Sequence, residues 1–306
     1  MSEHVPGQTG LELINGSARE GLWESELLDL KAYLARIGYQ GSTEPTEKTL
    51  RDLQRAHLDA IAFENLDVIT GGEIRLDLAS LQDKLVYRRR GGYCHEQNIL
   101  FATVLDRLGF HVTGRSARML MGADERELTA IGHTCLNVRI DGTDWHVDVG
   151  VGNTGPREPI QLKDGVEISH DHWTYRLERT DAGRWLLRYL RNDGWFNLYQ
   201  FSEEPYYRVD YEEHNYNVAT RAESPFVRRI VAQRNGGDVR YALTDCELKV
   251  FRPGEPPEKR SIQPATMPDL LRELFGLELP QQALEMLAER AQATCGAEVE
   301  EDSLGA

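Results

Sequence analysis

Near residue 110 the hydrophobic periodicity of this chain changes from a helical repeat to alternation, so one type of element cannot account for the fold. Before that point apolar residues recur every three to four positions. Leu27, Leu30, Leu34 and Ile37 share a face, with Ser25 placed to cap the helix and Gly38 to end it. A second helix is expected after Pro45-Thr46, with Leu50, Leu53 and His57 facing inward. A third runs from its cap Asp77 to Leu85, and a fourth from Cys94 to Leu108, closed by Gly109. Beyond it, short alternating runs are separated by the turn clusters Asp141-Gly142, Asp181-Ala182-Gly183 and Asn192-Asp193-Gly194. This middle third reads as an antiparallel sheet or barrel. After Pro225 come strand-like runs at 229–232, 239–243 and 247–251, a proline-rich loop at 253–257, and helices from Pro268 and Pro280. The order is helical, then β, then mixed, with no internal repeat: an α+β chain.

Composition bounds the function. With 40% hydrophobic residues among 306, the chain has enough apolar surface for a core. Its 35 Lys+Arg against 50 Asp+Glu give a net charge of −15, which repels nucleic acid and anionic membranes. No apolar run approaches the ~20 residues of a membrane span, and the N-terminus lacks the pattern of a signal peptide. A soluble, cytoplasmic protein is expected. The four cysteines, Cys94, Cys135, Cys246 and Cys295, form no Cys-x-x-Cys pair, so neither a zinc site nor a disulfide framework is expected. Three of them read as small buried apolar residues.

Cys94 is the exception. It follows Arg88-Arg89-Arg90-Gly91-Gly92-Tyr93 and opens a helical run through Leu100, Val104 and Leu108. A thiol in the first turn of a helix meets unpaired N–H groups that favour its anion, and the three arginines add positive potential. The same N–H groups suit an oxyanion at an attacked carbonyl. A partner lies in the hairpin formed by 133–149. If Asp141-Gly142 is a two-residue turn, Ile140 pairs with Thr143, Asp148 falls opposite Cys135, and His133 becomes its diagonal neighbour on the same face. A three-residue turn would separate them. His146 shares Asp148's face and competes with His133 on spacing alone, whereas His95 and His111 are expected to point elsewhere. A thiol, an imidazole and an orienting carboxylate form a nucleophilic constellation.

Two other motifs fail on context. Gly150-Val151-Gly152-Asn153-Thr154-Gly155 matches a dinucleotide fingerprint, but Pro156 and Pro159 follow where a helix is required. His170-Asp171-His172 lacks further ligands for a metal.

Taken together, Arg90-Gly91-Gly92-Tyr93-Cys94 with Glu96 and Asn98, then His133, then Asp148-Val149-Gly150-Val151-Gly152, resemble the arylamine N-acetyltransferase family. Ala62-Phe63-Glu64-Asn65-Leu66 upstream, and Asn217-Val218-Ala219-Thr220 through Ser224-Pro225-Phe226 downstream, extend the resemblance from about Leu27 to about Leu279. It implies a helical bundle carrying the nucleophile, a β-barrel carrying His and Asp, and a C-terminal α/β lid. The corresponding boundaries are an N-terminal extension over 1–24, the bundle over 25–110, the barrel over 111–215 and the lid over 216–306. It also implies ping-pong acyl transfer through Cys94, His133 and Asp148, from acetyl-CoA or another acyl thioester to an aromatic amine or hydrazine. Motif order then selects His133 over His146. Phe63, Gly150, Val151, Gly152 and Thr220 are the implied substrate-binding positions, and no metal or permanently bound cofactor is implied.

Departures from the family pattern are Val151 for a usual Phe, Ala62 for Pro, His95 for an aromatic, Gly132 for Thr, and a 220–224 loop without its His-Pro pair. They keep open a related activity, an amide synthase that takes an ansamycin polyketide from an acyl carrier protein and closes a macrolactam. A cysteine hydrolase and a non-catalytic binding protein are the remaining classes.

Overall fold

The computed structural model describes residues 23–303, with side chains through Thr294, so the expected extension lies almost wholly outside the described residues. The helical third contains α1 (Leu30–Arg36), α2 (Glu47–Ala60), α3 (Leu66–Ile69), α4 (Leu78–Leu81) and α5 (Cys94–Arg107). Local chemistry sets their ends. Thr46 Oγ1 accepts from the Thr49 N–H to cap α2, and Asp77 does the same for α4 from Ser80. Gly109, at φ 85°, takes the left-handed position after α5. Leu50, Leu53 and His57 are all fully buried, as their spacing predicts. Two expectations shift. Ser25 is not the cap of α1; Asp29 is, accepting from Ala32, while Ser25 sits in a short 3-10 turn and donates to Asp106. The third helix does not continue as α to Leu85 but widens into a π turn over Gln82–Tyr87.

The middle third forms β2 (His111–Met119), β3 (Ile131–Ile140), β4 (Thr143–Val147), β5 (Ile160–Gln161), β6 (Val166–His170), β7 (Trp173–Arg179), β8 (Trp185–Arg191) and β9 (Gly194–Phe201). Every pairing is antiparallel, in the order β5-β4-β3-β2-β9-β8-β7-β6, and the sheet curls into a nearly closed barrel. Tyr175, Leu177, Leu187, Leu198 and Tyr199 are among the buried side chains of its core.

The closing third supplies α6 (Arg208–Thr220), α7 (Pro225–Arg228), β10 (Val231–Asn235), β11 (Arg240–Thr244), β12 (Glu247–Phe251), β13 (Glu258–Ser261), α8 (Met267–Phe275) and α9 (Gln281–Ser303). Its sheet begins with a strand borrowed from the helical third: β1 (Phe63–Glu64) pairs with β10 in the order β1-β10-β11-β12-β13. Cys246, read from sequence as a plain apolar residue, is disulfide-bonded. Cys135 is free and fully buried.

The same β1 holds the turn before Cys94. Glu64 N–H donates to the Gly92 carbonyl at 3.1 Å, and Gly92 N–H donates to Ala62 O at 3.3 Å. A side chain on Gly91 would collide with the Ala62 carbonyl and with Glu64. Beneath this turn lies a buried ion network. Arg90 pairs with Glu64 (2.8 Å) and Asp67 (2.9 Å), and Lys84 with Glu96 (2.7 Å) and Asp67 (2.8 Å). Removing one member leaves a desolvated charge behind. Arg90→Ala strips the guanidinium from fully buried Glu64 and is expected to cost about 3–5 kcal/mol, measured by urea unfolding.

Candidate active site

The Asp141-Gly142 turn has φ values of 47° and 78°, the left-handed pair of a tight two-residue hairpin, and Ile140 pairs with Thr143. The register carries Leu136 to Val147, so the chain beyond β4 brings Asp148 back beside β3. His133 Nε2 lies 2.7 Å from Asp148 Oδ2. A bulge at Ala117/Arg118 leaves Gly132 outside the β2 register, and its carbonyl is 3.8 Å from Cys94 Sγ.

The tip of α5 is docked onto this hairpin. Thr134 Oγ1 donates to the Cys94 carbonyl at 2.9 Å. Asn98, one turn further along, donates to Thr134 O (2.7 Å) and Asp148 Oδ1 (2.9 Å), and accepts from Val149 N–H (3.1 Å). Gly150 closes the contact: a Cβ there would lie 2.6 Å from Cys94 Cα, so only glycine admits this approach.

Burial and charge compete at each group. Burial pushes the Cys94 thiol up, but the neighbouring His95 and the hydrogen bond and charge of His133 outweigh it and bring the thiol down to about 5. Burial pulls His133 down, yet the charge and hydrogen bond of Asp148, then those of Cys94, raise it to about 10. Burial would raise Asp148 as well, and the His133 charge holds it below its ordinary value. Between about 5 and about 10, therefore, the stable state is a thiolate beside an imidazolium, with Cys94 only 3% exposed. Such a thiol is a nucleophile with a proton donor at hand.

His146 does not compete for the thiol. Its Nε2 meets the Tyr199 hydroxyl at 2.6 Å, and that hydroxyl lies 2.8 Å from Asp148 Oδ2. Asp148 only accepts, so Tyr199 donates its one proton there and His146 Nε2–H donates to Tyr199. Burial lowers His146 to about 4 and keeps it neutral.

Two further expectations are corrected. Two of the three arginines are engaged away from the thiol: Arg90 is spent in the buried ion network and Arg88 pairs with Asp83 at the surface. His95 does not point away from the site. It is fully buried, and its Nδ1 lies 3.4 Å from Cys94 Sγ.

Of the other named positions, Gly152 packs against Phe63, whose Cγ would be 3.5 Å from a Cβ there, and Phe63 stands 5.8 Å from Phe226 by ring centroid. Phe226 in turn stacks on Tyr93 at 5.6 Å. Val151 packs on the barrel core. Thr220 is exposed at the end of α6, with its hydroxyl donating to the Tyr216 carbonyl. Tyr199 and Asn98 were not assigned roles from sequence; Asn98 was visible as a motif member one turn after Cys94, whereas nothing local marked Tyr199. A cavity of about 900 Å³ lies apart from Cys94, lined by Trp23, Phe110, Arg115, Trp185 and Tyr206 among others. Among the described residues no cluster suited to a metal ion is present, and no helix is long and apolar enough to cross a membrane.

A family model for N-acetyltransferases matches residues 46–284. The arylamine N-acetyltransferase of Mycobacterium tuberculosis is 37% identical over 256 residues, covering 82% of this chain and 90% of the relative. The solved arylamine N-acetyltransferase of Mycobacterium abscessus superposes with a TM-score of 0.85 at 38% identity, covering 89% of this chain and 98% of that one. The Mycobacterium marinum enzyme in complex with CoA gives 0.81 at 36% identity, over 86% and 98%. An acyltransferase is thus the class that fold and relatives define. The chain belongs to the arylamine N-acetyltransferase family.

The electrostatics can be tested directly. Alkylation of Cys94 by iodoacetamide is expected to hold its plateau rate down to about pH 5 and fall below it, as the thiolate takes a proton. Asp148→Asn removes the charge that keeps His133 cationic and should move that midpoint up toward an ordinary thiol value.

Proposed function

We propose that this protein transfers an acetyl group from acetyl-CoA to an aromatic amine or hydrazine by a ping-pong route through a thioester on Cys94. The observation that carries the reading is Cys94 at the tip of α5, docked on the hairpin that holds His133 2.7 Å from Asp148, in a chain of this family. In the first half-reaction the thiolate attacks the thioester carbonyl, the C–S bond to CoA breaks, and His133 gives its proton to the departing thiol. His133 is then neutral, and Cys94 carries the acetyl group. In the second, the amine attacks the acetyl carbon, His133 takes the amine proton, and Cys94 leaves as thiolate, restoring the starting ion pair. Asp148 orients His133 and stabilises its cation throughout.

CoA as donor is supported by the bound CoA of the Mycobacterium marinum relative. For the acceptor, Phe63, Phe226 and Tyr93 form an aromatic run beside the nucleophile, and Gly150, Val151 and Gly152 carry the backbone past it. Thr220, on the exposed end of α6, is assigned to the donor side.

Mass spectrometry after incubation with acetyl-CoA tests the reading. Wild type should gain one acetyl group, on Cys94, and Cys94→Ala none, with turnover reduced about 10³-fold or more. Loading from an acyl carrier protein but not from acetyl-CoA would replace this donor and favour the amide synthase. Loading by neither would remove Cys94 from the role of nucleophile.

A further inference from the structure

We propose that His95 is a second catalytic imidazole, donating a hydrogen bond from Nδ1 to the Cys94 sulfur and holding it as thiolate in both half-reactions. The inference rests on the reading of Cys94 as the nucleophile.

The geometry fixes the direction of the bond. His95 Nδ1 lies 3.4 Å from Sγ, within reach of a sulfur acceptor, and the residue is fully buried. Its other nitrogen, Nε2, is buried without a hydrogen-bond partner. The ring stands edge-on to Tyr93 at 5.8 Å and to Tyr211 at 6.4 Å. A neutral imidazole carries one N–H. A thiolate can only accept, so the proton belongs on Nδ1, and Nε2 is left as a bare acceptor between aromatic rings. The opposite tautomer would bury an unpaired N–H donor and aim a lone pair at an anion, two penalties in place of one.

His95 and His133 then do different work. His133, bound to Asp148, gains and loses the proton that the chemistry moves. His95 has no carboxylate partner, and its role is to stabilise negative charge on sulfur by donating to it. That charge is present twice, on the attacking thiolate and on the Cys94 sulfur when the amine displaces it. The titratable groups facing this pair are Tyr93 beside it, His133 and Cys135 on β3, Asp148 beyond β4, and Tyr211 and His214 on α6. Asp148 is committed to His133, and His133, the one cation among these groups, gives up its proton during the reaction, so it does not replace the His95 donor.

His95→Phe keeps an aromatic ring and removes the donor; His95→Asn places an amide N–H near the position of Nδ1. The measurement is the pH profile of Cys94 alkylation by iodoacetamide, with thermal unfolding as the check on folding. His95→Phe should raise the thiolate midpoint by about one unit or more and slow alkylation below it about tenfold, and His95→Asn should restore most of the shift. A folded His95→Phe protein with the wild-type midpoint overturns the proposal. Should His95→Phe fail to fold, nitrogen-15 NMR of the histidine rings in wild type decides instead. A proton on His95 Nδ1 supports the assignment, and the Nε2–H tautomer overturns it. Alkylation needs neither CoA nor amine, so failure of acetyl loading with the expected midpoint shift would remove the transferase reading alone.

Discussion

The Asp148 carboxylate is the point at which the parts of this molecule are tied together. It is buried, and it accepts four hydrogen bonds, from His133 Nε2, Tyr199 Oη, Asn98 Nδ2 and the Gly150 N–H. The four donors come from β3, β9, α5 and the segment just after β4. A buried carboxylate with fewer partners would take up a proton, and His133 would lose the charge that keeps it cationic. The barrel, the helix that begins at Cys94 and the glycine loop must therefore all be in place before Asp148 can hold His133. The His133–Asp148 arrangement is a product of the tertiary fold.

Charge burial is managed twice in the same region, in different ways. Below the turn before Cys94, Arg90 and Lys84 pair with Glu64, Asp67 and Glu96 in a buried network. That network holds the turn against β1 and α3. Above it, Cys94, His95, His133 and Asp148 are arranged so that the charge on sulfur is favoured in spite of burial. Arg90, although it lies four residues before Cys94, is therefore a structural arginine. The Arg90 guanidinium pairs with the Glu64 carboxylate of β1, which links the turn to the sheet of the closing third, and Arg88 pairs with Asp83 at the surface.

Much of this was legible in the sequence where one strong local rule applied. The helical repeat placed Leu50, Leu53 and His57 inward, and Asp141-Gly142 set a hairpin register that carried His133 and Asp148 to one another. What escaped depended on distant partners. β1 and β5 are two residues long and exist only because a neighbouring strand supplies their hydrogen bonds. The π turn after α4 has no signature in a pattern of apolar residues. Tyr199 meets Asp148 from fifty-one residues away, across the barrel. His95 is adjacent to Cys94 in sequence, and its direction followed only once the helix start and the Tyr211 wall were known.

The central claim is that the acyl group rests on Cys94 between donor and acceptor. The most direct measurement is a single-turnover experiment: load the protein with radiolabelled acetyl-CoA, remove all CoA by desalting, and mix the isolated acetyl-protein with an arylamine. The account predicts loss of label from Cys94 with matching appearance of one equivalent of N-acetylated amine, with no CoA present. Retention of the label on Cys94, with transfer resuming only when acetyl-CoA is added back, would contradict it.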